Sequence, residues 1–258
     1  MLGVVKRLIY IGWKRWNQYK IEYLYAFIFT LSELFFILVW YGVAKFASAN
    51  GYALAGWTFP QLATVVILFN IILASAEASG YYDAMATIHG KSRAQLSSLL
   101  TKPIHPFLYL SLKHFYFPGV ARVLFYMALL FYIYHIYYIV PSLTFFALVL
   151  IGVGIGAALY YIPILFLIAF ERNADLPSMF IQSLFYNSNF PYTSLKGFAF
   201  ILFHFILPIG FIASVPAYCL EKNCLNFVMA GAGVLAVLLA VVKLLSVYAW
   251  KRFEAVGG

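Results

Sequence analysis

The chain has 258 residues, of which 65% are hydrophobic and 10% charged, with a mean hydropathy of +0.91. A soluble globular domain carries roughly 45–50% apolar and about 25% charged residues, so there is too little polar surface here to face water. Lys and Arg outnumber Asp and Glu by 17 to 8, giving +9; without a basic stripe interleaved with stacking aromatics, that excess points to anionic lipid and cytoplasmic loops rather than to nucleic acid.

The N-terminal 20 residues are basic and amphipathic. Val5, Leu8, Ile9, Trp13 and Trp16 recur at helical spacing, with Lys6, Arg7, Lys14 and Asn17 on other faces. This predicts a helix lying in the membrane interface, and the segment has no apolar core and cleavage site of a signal peptide. Six apolar stretches then reach the roughly 20 residues needed to span a bilayer. They are Ile21–Phe46, Trp57–Ala78, Pro118–Tyr138, Ser142–Phe170, Gly197–Cys219 and Leu225–Val247. With both termini cytoplasmic, fifteen Lys and Arg fall on or near the inner side, and only Lys45 and Lys222 on the outer one. That bias fixes the expected topology. The predicted fold class is therefore all-α integral membrane: one transmembrane domain over residues 1–258, six transmembrane helices, an N-terminal interfacial helix and cytoplasmic ends.

Polar connections are unequal. Residues 79–106 form the longest, cytoplasmic by this topology, with Leu96, Leu99 and Leu100 among Lys91, Arg93 and Gln95. Part of it is expected as a short amphipathic helix, ended by Pro103. Glu171–Lys196, also placed inside, reads as a second interfacial helix, because Asn187, Ser188 and Asn189 are costly in lipid. The alternative is a fifth span that starts earlier and breaks at Pro191.

Few residues carry chemistry. Gly90-Lys91-Ser92 ends like a phosphate loop, but Met85 stands where the first Gly is required and no strand precedes it. No metal-binding or hydrolase motif is present. Glu33 lies mid-span, about 18 Å along the axis from Ile21 at 1.5 Å per residue. A charge at that depth costs roughly 2.5–3.5 kcal/mol and must face protein or water. Arg122 enters the third span from the same side, so a Glu33–Arg122 pair is within reach; the alternatives for Glu33 are a substrate path, a structural ion pair or a neutral, protonated carboxyl. Glu22 and Glu77 are expected at solvated span ends. His204 in the fifth span reads as a hydrogen-bonded helix contact or a proton relay. Pro208 and Pro216 bend that span or break it into a re-entrant turn. Gly152 and Gly156, at i and i+4, let helices approach closely, for packing within one chain or for dimerisation. Cys219 and Cys224 bracket an outer turn; a disulfide there has only adjacency in its favour, so free thiols are the expectation.

Two stretches resemble a known family. Gly90 followed by Leu99-Leu100-Thr101-Lys102-Pro103-Ile104-His105-Pro106 is similar to the loop after the second helix of ABC-2-type transport permeases. Phe190-Pro191-Tyr192, Ile206-Leu207-Pro208-Ile209-Gly210-Phe211-Ile212 and Val215-Pro216-Ala217 resemble their motifs ahead of the last helix, in the same order. The resemblance implies a permease of the inner (cytoplasmic) membrane, a subunit of an ATP-driven exporter, dimeric with an identical or different second permease. A separate cytoplasmic ABC ATPase would bind ATP and Mg, leaving this chain no cofactor or catalytic residue of its own. It implies an ATPase-coupling element at Gly90, Leu99, Leu100, Lys102, Pro103 and Pro106, and a connecting helix over residues 1–20. Glu33, Arg122, His204, Pro208 and Pro216 are candidates for the translocation path. The rival expectation is an ion-coupled secondary transporter or channel that uses Glu33 and His204.

Overall fold

The computed structural model describes residues 21–50, 56–81, 112–170 and 190–257, with single positions at 6, 7, 10, 11, 13, 14, 109, 179 and 183. Helices and turns account for the described residues, with no strand among them. Five helices are long and apolar enough to cross a membrane. These belong to α1 (Ile21–Ala49), α2 (Phe59–Ala78), α3 (Phe117–Ile136), α4 (Leu143–Phe170) and α7 (Leu225–Gly257). All five lie within a few residues of expected spans, because each is a closed apolar run whose ends carry the breaking or charged residues.

Local chemistry sets the helix starts. Gln61 Oε1 accepts the Thr58 backbone N–H at 3.0 Å, and Pro60 sits in the first turn of α2, where its missing donor costs nothing. Ser142 Oγ accepts the Phe145 N–H at 3.1 Å and so caps α4. Within the bundle, 78% of the best α2 window is buried against 6% for α7. Helix α2 is therefore the central element, and α7 packs along one side of α4, its most extensive neighbour. Inside the core, Thr64 Oγ1 lies 2.7 Å from the Pro60 carbonyl and 3.2 Å from the Tyr134 hydroxyl, so α2 meets α3 through a satisfied polar contact.

Gly197–Cys219 departs from the expectation of a continuous span. It is a string of short pieces: α5 (Phe198–Ile201), a π-helical turn Leu202–Ile206, a 3-10 turn Pro208–Phe211 and α6 (Ser214–Tyr218). The Leu207 N–H reaches the Leu202 carbonyl at 2.7 Å, and Pro208 then ends the turn because it has no donor to continue it.

The string also folds back. Tyr218 stacks near Trp57 at the start of α2, with ring centroids 6.0 Å apart, while the Thr193 N–H donates to Ser214 Oγ at 3.2 Å. Phe211 and Ile212 present their carbonyls to Gly152, about 13 Å down α4 from Leu143 at 1.5 Å per residue. Both arms thus lie toward the end that bears Lys45 and Lys222, and the bend between them dips inward. Phe190–Lys196 consequently lies toward the Lys45 end and not toward the opposite end, where the interfacial-helix expectation had put it; most of Glu171–Asn189 is outside the described residues. Lys196 moves to the Lys45 side, so the expected division of basic residues between the two sides becomes fourteen to three.

The expectation of free thiols is also corrected. Cys219 and Cys224 form a disulfide with Cα atoms 5.8 Å apart, a separation normal for the bond. The backbone between the hairpin and α7 turns tightly enough to bring the two side chains together, which sequence adjacency did not reveal.

Candidate functional site

A buried charge cluster joins α1, α2 and α3 toward the end opposite Lys45. Arg122 sits in the second turn of α3 and is 5% exposed; Glu33 of α1 is 8% exposed. Arg122 Nη2 donates to Glu33 Oε2 at 2.8 Å, and Nη1 donates to Glu77 Oε2 near the end of α2. Tyr126, one turn after Arg122, donates its hydroxyl to the same Glu33 oxygen. Phe29, one turn before Glu33, places its ring 4.7 Å from the guanidinium carbon. The i, i+4 spacings put Phe29 and Glu33 on one face of α1 and Arg122 and Tyr126 on one face of α3. One cation thus serves two carboxylates on two other helices, a geometry that suits the planar guanidinium and that a point-charge ammonium does not reproduce.

Next to this cluster, α2 and α3 are clasped where they enter and leave the long loop. Gly119 lets α3 reach α2, since a Cβ there would lie 2.6 Å from the Ala78 nitrogen. The Tyr116 N–H donates to the Ala78 carbonyl at 3.1 Å. Gly80 has φ +69 and abuts the His114 backbone, so both the left-handed turn and the close approach require glycine. Trp13, from the N-terminal segment, packs edge-on against Phe117 at 5.1 Å.

At the opposite end, the hairpin buries His204. Its Nδ1 lies 2.8 Å from the Phe200 carbonyl, its ring stacks on Phe200 at 4.2 Å, and Nε2 is buried without a partner. Gly210 lies against that ring, where a Cβ would come within 2.7 Å of Nε2. At the Lys45 end a cavity of about 780 Å³ opens between the ends of α1, α2 and α3, lined among others by Tyr41, Lys45, Trp57, Phe59, Tyr137 and Glu221. Among the described residues, no three His, Cys, Asp or Glu side chains gather as a metal site.

A family model described as "ABC-2 family transporter protein" matches residues 27–257. The chain belongs to the ABC-2 transporter family. It is thus a multi-pass membrane protein, the permease component of an ABC transporter. Neither a curated protein nor a solved structure gives a significant match.

Within this ABC-2 permease, the structure brings Glu33 and Arg122 together as a direct ion pair and sets His204, Pro208 and Pro216 apart from them in the hairpin. Glu77 is half-buried rather than simply solvated, as its place at a span end had implied: antiparallel packing puts it opposite Arg122. Gly152 and Gly156 are both buried, and Gly152 packs within the chain against the hairpin backbone. Gly90, Leu99, Leu100, Lys102, Pro103 and Pro106 lie outside the described residues, as do the side chain of Glu22 and most of residues 1–20. Sequence reasoning missed Glu77, Tyr126 and Phe29 as cluster members. The signal was present: Tyr126 and Phe29 stand four residues from Arg122 and Glu33 on the faces those residues already defined.

Proposed function

We propose that this permease is the membrane half of an ATP-driven exporter that pairs with a second permease, identical or different, and is driven by a separate cytoplasmic ATPase. The observation that carries this reading is the family match along nearly the whole chain. The clasped base of the loop between α2 and α3 supports it, because a loop anchored by glycine-permitted backbone contacts transmits force to both helices at once. On this reading Leu99, Leu100, Lys102, Pro103 and Pro106, with Gly90, form the ATPase-docking element. ATP and Mg belong to the partner's site, and the chain resides in the inner membrane among lipids that meet its exposed apolar faces.

The topology consistent with this role has six crossings and both termini inside. Helices α1 to α4 make four and α7 makes the last. The fifth falls between Phe170 and Thr193, since α4 ends away from Lys45 and Thr193 is bonded to Ser214 toward the Lys45 side. Residues 197–218 then form a re-entrant hairpin beside the outward cavity. Irregular backbone at that depth is tolerated because it is covered by α2 and α4. Alternating access would open and close the path beside this hairpin. The ion-coupled alternative gains no support from the described residues. Glu33 is held by Arg122 and Tyr126, His204 Nε2 has no polar partner, and no hydrogen-bonded chain joins the two.

The test is gentle co-purification of the tagged permease from its native membrane, with mass spectrometry and an ATPase assay of what accompanies it. A parallel sample carries Leu99→Asp and Leu100→Asp. The exporter reading expects an ATPase subunit that the double change releases from a folded permease. Absence of any ATPase would sink it and return attention to ion-driven transport.

A further inference from the structure

We infer that Arg122 is a positioning residue for transport, the joint through which motion of the loop-bearing α2–α3 pair reaches α1. The inference rests on the exporter reading and adds to it the part of the bundle that moves as a unit.

The connections are unequal in kind. Helices α2 and α3 are held together by backbone contacts at Ala78, Gly119 and Tyr116, and by the Thr64–Tyr134 contact nearer their other ends. This pair is bound whether or not Arg122 is charged. Helix α1 packs less extensively on either of them, and its span window is only 11% buried. Its polar ties to the pair, among the described residues, converge on Glu33: the Arg122 guanidinium at 2.8 Å and the Tyr126 hydroxyl. Phe29 adds its ring face one turn away. Removing the cluster therefore cuts the polar ties of α1 and leaves it only apolar packing such as Tyr41 on Phe59, while the α2–α3 pair stays intact.

The cluster also sits where force would arrive. Arg122 is five residues from Phe117, the first residue of α3, and Glu77 is one residue from the end of α2. Both helices enter the long loop there, and Trp13 touches the same corner at Phe117. A guanidinium locked between two carboxylates resists sliding, because displacement by a few ångströms strands a charge in a low-dielectric interior. An apolar contact would slip. The Arg122 contacts thus have directional stiffness that packing of α1 alone does not supply.

The experiment uses the permease–ATPase complex in lipid nanodiscs and spin labels on three exposed outer positions. These are Lys45→Cys on α1, Ile136→Cys on α3 and Asn226→Cys on α7; Cys219 and Cys224 stay bonded and unlabelled without reductant. Distances Lys45–Asn226 and Ile136–Asn226 are measured with and without ATP plus vanadate. They are compared with those in a variant carrying Glu33→Gln, Glu77→Gln and Arg122→Met, which removes every charge of the cluster and leaves none stranded.

In the parent, both distances should shift with nucleotide. In the uncharged variant, assembly and the Ile136–Asn226 shift should persist, while the Lys45–Asn226 shift falls below a third of its parent value. A role confined to folding would leave both shifts unchanged in the assembled variant, and that result overturns the inference. So does a parent in which Lys45–Asn226 does not move. If no ATPase assembles with the parent, the exporter reading itself has failed. If the ATPase assembles and both shifts survive the triple change, only the role of Arg122 has failed.

Discussion

The backbone N–H of Thr193 donates to Ser214 Oγ at 3.2 Å, which ties two points 21 residues apart at one depth of the membrane. A single helix over that interval would separate them by about 30 Å. The hairpin between them must therefore enter and leave on the same face. Lys196, three residues beyond Thr193, should react with a membrane-impermeant maleimide from the same side as Lys222 when each is replaced by Cys. Lys251→Cys at the far end of α7 should react only from the other side. Labelling of Lys196→Cys together with Lys251→Cys would restore a continuous fifth span and remove the hairpin.

The Cys219–Cys224 bond closes the joint between the hairpin and α7, and that joint is pinned to the start of α4. Ser142 Oγ donates to the Cys219 carbonyl at 2.9 Å, and Thr144 Oγ1 donates to the Lys222 carbonyl at 3.0 Å. Disulfides persist in oxidising compartments, which fits the outer side that the charge bias predicts for this turn. Neither cysteine of the protein from native membrane should take up maleimide until a reductant is added. Cys219→Ser with Cys224→Ser should cost about 2 kcal/mol of stability, the chain-entropy value for so short a loop. Thermal unfolding in detergent measures it, and an unchanged midpoint would show that the Ser142 and Thr144 contacts hold the turn alone.

Arg122→Met should be far more harmful than removing the whole cluster. It leaves Glu33 buried and Glu77 half-buried without their cation, and breaking a buried pair such as Glu33–Arg122 by deleting one partner costs about 3–5 kcal/mol. Adding Glu33→Gln and Glu77→Gln to Arg122→Met removes the stranded carboxylates. Most of the lost stability should then return, although three charges are gone. Detergent-extracted variants followed by size-exclusion chromatography after heating should rank parent and triple variant together, well above Arg122→Met. Equal loss in the single and triple variants would mean that side-chain packing, not charge, holds this corner.

Much of the architecture was readable because lipid imposes strict terms. A run of about 20 apolar residues with charged ends has few alternatives to a span, and five helices follow from that alone. Glu33 and Arg122 were readable as partners because an isolated charge at their depth is too costly to leave unpaired. Gly197–Cys219 misled for a definite reason. Hydropathy records removal from water and does not distinguish burial in lipid from burial in protein. Pro208 to Ala217 are buried among neighbouring helices, so the hairpin looks like a span. Glu77 was hidden differently. Its place at a span end made water the simple partner, and only the antiparallel register of α2 and α3 brings Arg122 opposite it.

Two helix glycines separate close packing from simple tolerance. At Gly152 an added Cβ would lie 2.7 Å from the Phe211 carbonyl oxygen and 2.9 Å from that of Ile212. Both atoms belong to the hairpin backbone, which cannot retreat without losing its own turn. At Gly233 in α7, nothing lies within 4 Å. Gly152→Leu should therefore push the hairpin off α4 and cost at least the 1–3 kcal/mol typical of overpacking. Gly233→Ala should be neutral or stabilise by up to about 1 kcal/mol, because alanine loses less backbone entropy in a helix. The hairpin supplies its own reporter: with Lys196→Cys as the label site, Gly152→Leu should speed maleimide labelling and Gly233→Ala should not. Equal labelling rates in the two backgrounds would show that the hairpin is held elsewhere, and that the contact at Gly152 does not position it.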